Sequence, residues 1–197
     1  MIQLRAGFLP LLASAAVAAC GGNNNAGAES ALNLSVTPGT NSADVCAVGG
    51  GASLQVGDPS APPAGIIADG SSASGAPIKV ECAVSGDDTN GYTVNAEVTK
   101  GNLGTFTIKG SFPGENNGTV AQASNVSVQL NLSTPVIANF AETDCTVTFP
   151  NVSSGTQGIG AGKVAGTLSC PSAGDSTKAT LSACNVSGAF LFQNCSH

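Results

Sequence analysis

In five stretches of this chain apolar and polar residues alternate one by one, and a period of two is the signature of a pleated strand with one buried face. Tyr92, Val94, Ala96 and Val98 alternate with Thr93, Asn95, Glu97 and Thr99. Phe106, Ile108 and Gly110 alternate with Thr105, Thr107 and Lys109, and Val126, Val128, Leu130 and Leu132 with Ser127, Gln129 and Asn131. Cys145, Val147 and Phe149 alternate with Thr146 and Thr148, while Val164, Leu168 and Cys170 share one side around Gly166. Turn residues separate the stretches. Gly86-Asp87-Asp88-Thr89-Asn90-Gly91 and Pro113-Gly114-Glu115-Asn116-Asn117-Gly118 each contain an Asn-Gly pair, which tolerates the positive φ that tight hairpins require.

Further strands are expected at Ala31 to Val36, Ala52 to Val56 and Val80 to Val84, and the apolar run Val186 to Phe192 belongs in the middle of a sheet. Residues 57–77, rich in Pro, Gly, Ser and Ala, read as a long loop. After residue 30 no stretch repeats apolar residues at helical spacing over three turns. Eight to ten short strands imply an all-β domain, an antiparallel β-sandwich or related barrel. Aromatic residues are only 4% of the chain, so a thin interior is expected, stapled by disulfides.

The seven cysteines are Cys20, Cys46, Cys82, Cys145, Cys170, Cys184 and Cys195, and an odd count in an exported chain needs an explanation. The N-terminus supplies one. Arg5 precedes an uncharged run from Phe8 to Ala19, about a dozen residues where a bilayer span takes roughly 20. Val17-Ala18-Ala19-Cys20 then resembles the lipobox of bacterial lipoproteins, in which the cysteine sulfur takes a diacylglycerol and becomes the new N-terminus. Ordinary signal-peptidase cleavage, with Cys20 a passenger, is the competing reading. The lipobox divides the chain into a signal helix over 1–19, a lipidated Cys20 with a flexible Gly/Asn tether over 20–30, and one β domain over 31–197. Gly21 stands where an inner-membrane retention signal would carry Asp, which implies export to the cell envelope and the outer membrane.

Without Cys20 the remaining six cysteines can pair completely in an oxidising compartment. Six cysteines can be joined in fifteen ways. The expected set is Cys170 with Cys184 across a short loop, Cys82 with Cys195 between strands and, by elimination, Cys46 with Cys145.

Charge and chemistry exclude much. Once Arg5 is removed with the signal, five lysines face 12 acids and no arginine remains, so nucleic acid is an improbable partner. Membrane contact then comes from the lipid alone. His197 is the one histidine and the last residue, and a frayed terminus holds no triad or zinc site well. Asp87, Asp88 and Asn90 could offer oxygens to Ca²⁺ but read better as a self-capping turn. Glu142 and Asp144 share a face by parity and read as a solvated edge, not as a glycosidase pair. Tyr92 starts a core face. No cofactor, metal or catalytic residue is expected, and no enzyme.

Four segments carry a further resemblance: Val80-Glu81-Cys82-Ala83-Val84, Asp144-Cys145-Thr146-Val147, Gly166-Thr167-Leu168-Ser169-Cys170-Pro171 and Phe190-Leu191-Phe192-Gln193-Asn194-Cys195. Together they resemble uncharacterised secreted lipoproteins of the myxobacterial type. The lipobox, low charge and Gly/Thr/Val-rich strands are more loosely similar to the mycobacterial 19-kDa antigen type of lipoprotein. The resemblance implies no activity. The expected role is a non-enzymatic structural or interaction module that meets an envelope protein partner. The alternative is a carrier of an apolar ligand between the sheets, which would need a cavity above about 300 Å³ lined by Leu, Val and Phe.

Overall fold

The computed structural model describes residues 27–39, 46, 48, 52–114, 122–149, 158–177 and 183–197. They form twelve strands: β1 Glu29–Pro38, β2 Ala52–Val56, β3 Ile67–Ala68, β4 Ser72–Ala73, β5 Ala76–Asp87, β6 Gly91–Lys100, β7 Gly104–Phe112, β8 Gln122–Leu132, β9 Ala138–Thr148, β10 Gly158–Gly160, β11 Lys163–Asp175 and β12 Ala183–Gln193. All pair antiparallel in the order β2-β1-β12-β11-β9-β8-β7-β6-β5-β4, with β3 added to β1 and β10 to β11. The result is an all-β, nearly closed barrel or sandwich, as the alternation predicts. No helix occurs among the described residues.

Each sequence stretch falls inside a strand with its apolar side inward. In β6, Tyr92, Val94, Ala96 and Val98 are buried while Thr93 and Asn95 are exposed. β12 lies between β1 and β11, so its apolar run is central. The hairpin at Asp87–Gly91 is where the turn residues put it. Residues 115–118 of the second turn lie outside the described residues. The stretch over 57–77 is not a plain loop. It adds Ile67–Ala68 to the start of β1 and Ser72–Ala73 to the start of β5, the latter through a two-residue turn with positive φ at Ser74 (52°) and Gly75 (79°).

The interior is not thin. Phe106, Phe112, Phe140, Phe149, Phe190 and Phe192 are all buried, so every Phe after Phe8 is spent on the core. Phe106 lies 6.2 Å from Phe190 and 6.3 Å from Phe192, packing β7 against β12. Phe112 meets Phe149 at 6.0 Å. Burying such a side chain stabilises by roughly 1.5–3 kcal/mol. A low aromatic percentage understates a core when all its rings are on one side of the sheet.

The disulfides are Cys46–Cys184, Cys82–Cys195 and Cys145–Cys170. The expected Cys82–Cys195 pair is present; Cys170–Cys184 and Cys46–Cys145 are not. Proximity in sequence misled for a topological reason. β11 continues past Cys170 to Asp175, so Val186 faces Cys170 and Ala173 faces Cys184. On the other side of β11 runs β9, where Ser169 faces Thr146, which brings Cys145 opposite Cys170 with Cα atoms 4.4 Å apart. Cys184 faces Pro38 across β1 and is joined to Cys46 beyond the end of that strand.

Candidate functional site

A sheet rolled into ten paired strands has one seam, and here its two rims are β2 at one end of the order and, at the other, β5 with the short β4 added to its start. Along β5 the backbone is occupied. Gly70 N donates to Ile78 O (3.0 Å), Ile78 N to Ser71 O (2.8 Å) and Val80 N to Asp69 Oδ1 (2.8 Å). Further along, Ser196 N donates to Cys82 O (3.0 Å), Val84 N to Ser196 O (2.8 Å) and Gly162 N to Val84 O (3.1 Å), and Cys195 N donates back to Gly162 O (3.0 Å). The Cys82–Cys195 disulfide crosses the same line. Gly162 is in the left-handed region (φ 75°), and a Cβ there would sit 3.1 Å from Cys195 O, so this turn needs its glycine.

The C-terminus is therefore not frayed: it is a strap, hydrogen-bonded through Ser196 and covalently tied at Cys195. His197 follows it at the surface, where a Cβ on Gly162 would come within 3.8 Å of its Nδ1. The expectation that the terminus is loose fails because Cys195 sits two residues from its end.

The β2 rim differs. Gly188 approaches β1 at Asn33 O, which shows that the odd residues of β1 bond to β12. The even residues Leu32, Leu34 and Val36 then bond to Val56, Leu54 and Ala52, leaving the backbone of Ser53 and Gln55 pointing away from the sheet. Gln55 O accepts from Lys100 Nζ at 2.8 Å. Ser53 N–H, Ser53 C=O and Gln55 N–H have no partner among the described residues. Beside them lies a groove of about 390 Å³ lined by Gln55, Gly57, Ile67, Ser72, Ser74 and Lys100.

A second concavity, about 370 Å³, lies on the outer face of β5, β6 and β7 between Glu81, Cys82, Asn95, Glu97 and Lys109. Glu81 and Glu97 stand directly opposite one another, a destabilising placement relieved on both sides. Lys79 pairs with Glu81 at 2.6 Å, and Thr107 Oγ1 donates to Glu97 at 3.1 Å. Neither concavity has the Leu, Val and Phe lining that a carrier of apolar ligands needs.

The acidic residues singled out by sequence separate. Asp87 Oδ1 accepts from the backbone N–H groups of Thr89 and Asn90, both at 2.8 Å, and these bonds, Asn90's first, hold its carboxyl below the usual range. Asp88 accepts from the hydroxyl of Tyr92 at 2.8 Å, so these carboxylates build the hairpin, and Tyr92 starts the core face. Glu142 is not on a solvated edge. β9 lies between β8 and β11 and carries an extra residue between Cys145 and Glu142. That bulge turns Glu142 against β11, where it is 9% exposed and accepts from Ser172 N at 3.1 Å. Burial, and after it the nearby Asp144 carboxyl, push Glu142 above the ordinary carboxylate value. Its carboxylate lies within 4.8 Å of the Cys145 and Cys170 sulfurs, but these are bonded to each other and offer no thiolate to a metal.

Cys20 and its lipobox residues Val17, Ala18 and Ala19 lie outside the described residues. The six disulfide candidates are all joined. The seam was missed by sequence reading, since nothing in a period of two says where a sheet's rims meet. Comparison with known proteins finds no matching family model, no matching curated protein and no matching solved structure.

Proposed function

We propose that this chain is a lipid-anchored lipoprotein of the cell envelope, held at Cys20, whose β domain works as a non-enzymatic structural or interaction module. One observation carries this: the six cysteines after Cys20 are consumed by three disulfides, which leaves Cys20 as the odd thiol, at the lipobox. Three disulfides also fit an oxidising, extracytoplasmic compartment. The Gly at position 21 supports the outer membrane as the destination. The short segments resembling myxobacterial secreted lipoproteins agree with it.

Among modules, the packed interior supports interaction through the surface over carriage of an apolar ligand. Phe106, Phe190 and Phe192 fill the space between the facing strands, where a carried ligand would have to lie.

Metabolic labelling with a palmitate analogue tests the anchor. The wild-type chain should take the label and sediment with membranes, while Cys20→Ala should stay unlabelled. Label persisting in Cys20→Ala overturns the lipoprotein reading.

A further inference from the structure

We propose that the open edge of β2, with the groove beside it, binds an extended peptide segment of a partner protein that carries a carboxylate opposite Lys100. This rests on the reading of the domain as an interaction module and names the kind of partner.

The edge has what strand addition needs. Ser53 N–H, Ser53 C=O and Gln55 N–H point outward with no partner among the described residues, and an antiparallel strand would satisfy all three. Natural sheets protect such edges with proline, charge, bulges or cover. β5 is covered by the Asp69–Ser71 turn, Gly162 and Ser196. β2 itself, Ala-Ser-Leu-Gln-Val, has no proline, charge or bulge, and among the described residues the Lys100 ammonium on Gln55 O is the one hydrogen bond to its outer backbone. Its exposed positions, Ser53 and Gln55, are uncharged and offer no bar to an approaching backbone.

The groove supplies the room. Its far wall is β4, where Ala73 pairs with Ala76 and Ser71 O bonds to Ile78 N. By alternation the backbone of Ser72, between them, faces away from β5 and toward the groove. An occupant would therefore lie along β2 and meet a second set of backbone groups across the gap. A groove of about 390 Å³ admits a short extended segment, not a folded domain.

The charge names the occupant. Lys100 carries the groove's positive charge and spends one of its three donors on Gln55 O. Among the described residues no carboxylate lies within ion-pair distance of it; the ion pair found there is Lys79–Glu81, on the outer face. In a chain with 12 acids, a lysine at a strand edge with no counter-ion among the described residues is met best by a carboxylate that arrives with the partner.

The test pans a random heptapeptide library on the full chain in detergent, then measures the selected peptides by fluorescence anisotropy. Selected peptides should carry Asp or Glu among alternating β-branched residues. Ser53→Pro removes the outward N–H and should weaken them at least about tenfold. Lys100→Glu, which leaves the edge intact, should weaken the acidic peptides and favour basic ones, and it keeps the test open should Ser53→Pro not fold. Selected peptides that bind wild type, Ser53→Pro and Lys100→Glu alike overturn the proposal. So does a dimer that forms through β2 and is lost in Ser53→Pro, because the occupant is then a second copy. Repeating the measurement on Cys20→Ala separates the claims: binding kept there stands whatever becomes of the anchor.

Discussion

The two rims of one seam are built from the same material and finished in opposite ways. β5 and β2 are both strands with alternating buried and exposed residues; β2 pairs with β1 alone, and β5 has β6 along its whole length and only the two-residue β4 on its other side. β5 is twelve residues long and exposes enough backbone to invite pairing anywhere along it. It is covered by two separate parts of the chain and locked by a disulfide whose partners are 113 residues apart. β2 is five residues long and, among the described residues, left open beside a groove. The long rim is closed where an open one would endanger the fold, and the short rim is open where loss of cover costs little. An edge left uncovered in a sheet that covers its other edge so thoroughly is the place to look for an interaction.

The largest effect should come from cutting the lock. Replacing Cys82 and Cys195 together by Ala removes a constraint on a long loop, and chain entropy puts the loss at up to about 4–5 kcal/mol. The other two disulfides retain part of that constraint, so thermal unfolding should show a loss of roughly 2–4 kcal/mol. Hydrogen exchange should show Val84 and Gly162 losing protection while the amides of β7 and β12 keep theirs. Equal loss across all strands would mean that the disulfide holds the whole barrel and not its rim.

Next in size is a change to the strap that leaves the disulfide intact. Ser196 is exposed, and its N–H donates to Cys82 O, so Ser196→Pro removes one rim hydrogen bond without touching the core. A cost of about 1 kcal/mol is expected in chemical denaturation. No change would show that Cys195 alone closes the rim.

How much of this was legible before the structure depends on whether the signal is local. Tyr92 to Val98 states its own strand, face and neighbours, because alternation and the Asn90-Gly91 turn act within a few residues. Cys145 could not name Cys170 as its partner, because that pairing depends on β9 and β11 lying side by side, and the chain makes β10 between them. Glu142 and Asp144 were placed by parity, and one extra residue in β9 breaks parity. Asp69 was not singled out at all, although its side chain bonds to Val80 N on the rim. The seam itself depends on where the first and last strands of a rolled sheet end up, which is a property of the whole chain. Cys195 near the terminus was the one local hint that something at the end is fastened.

A position away from both rims gives a control with a smaller effect. Glu142 is raised above its ordinary value by burial, so the folded state holds its proton more tightly than the unfolded chain does. Stability from this group is greatest below the unfolded value and is lost as pH rises through the folded one. Glu142→Gln keeps an acceptor for Ser172 N and has no proton to lose. It should be no less stable than wild type at neutral pH, and its stability should fall less between pH regions just below and just above the ordinary carboxylate value. Exchange at Val84 and at Ser53 should not respond. A response at the seam would mean that the β9–β11 bulge and the rims move together.

The smallest expected effect is the most informative about β2. Ser53 is exposed and its N–H points out of the sheet, so Ser53→Pro removes no hydrogen bond that the fold uses. Proline is tolerated on edge strands for this reason, and a change within about 0.5 kcal/mol is expected. The contrast with Ser196→Pro is what matters, since both put the same residue at an exposed position on a rim. If both cost the same, the β2 edge is as fully used as the β5 edge, some part of the chain already pairs with it, and no partner strand has room there. If Ser196→Pro lowers the denaturation midpoint and Ser53→Pro does not, the fold is complete without the outer face of β2. The hydrogen bonds left open on that face are then free for another chain.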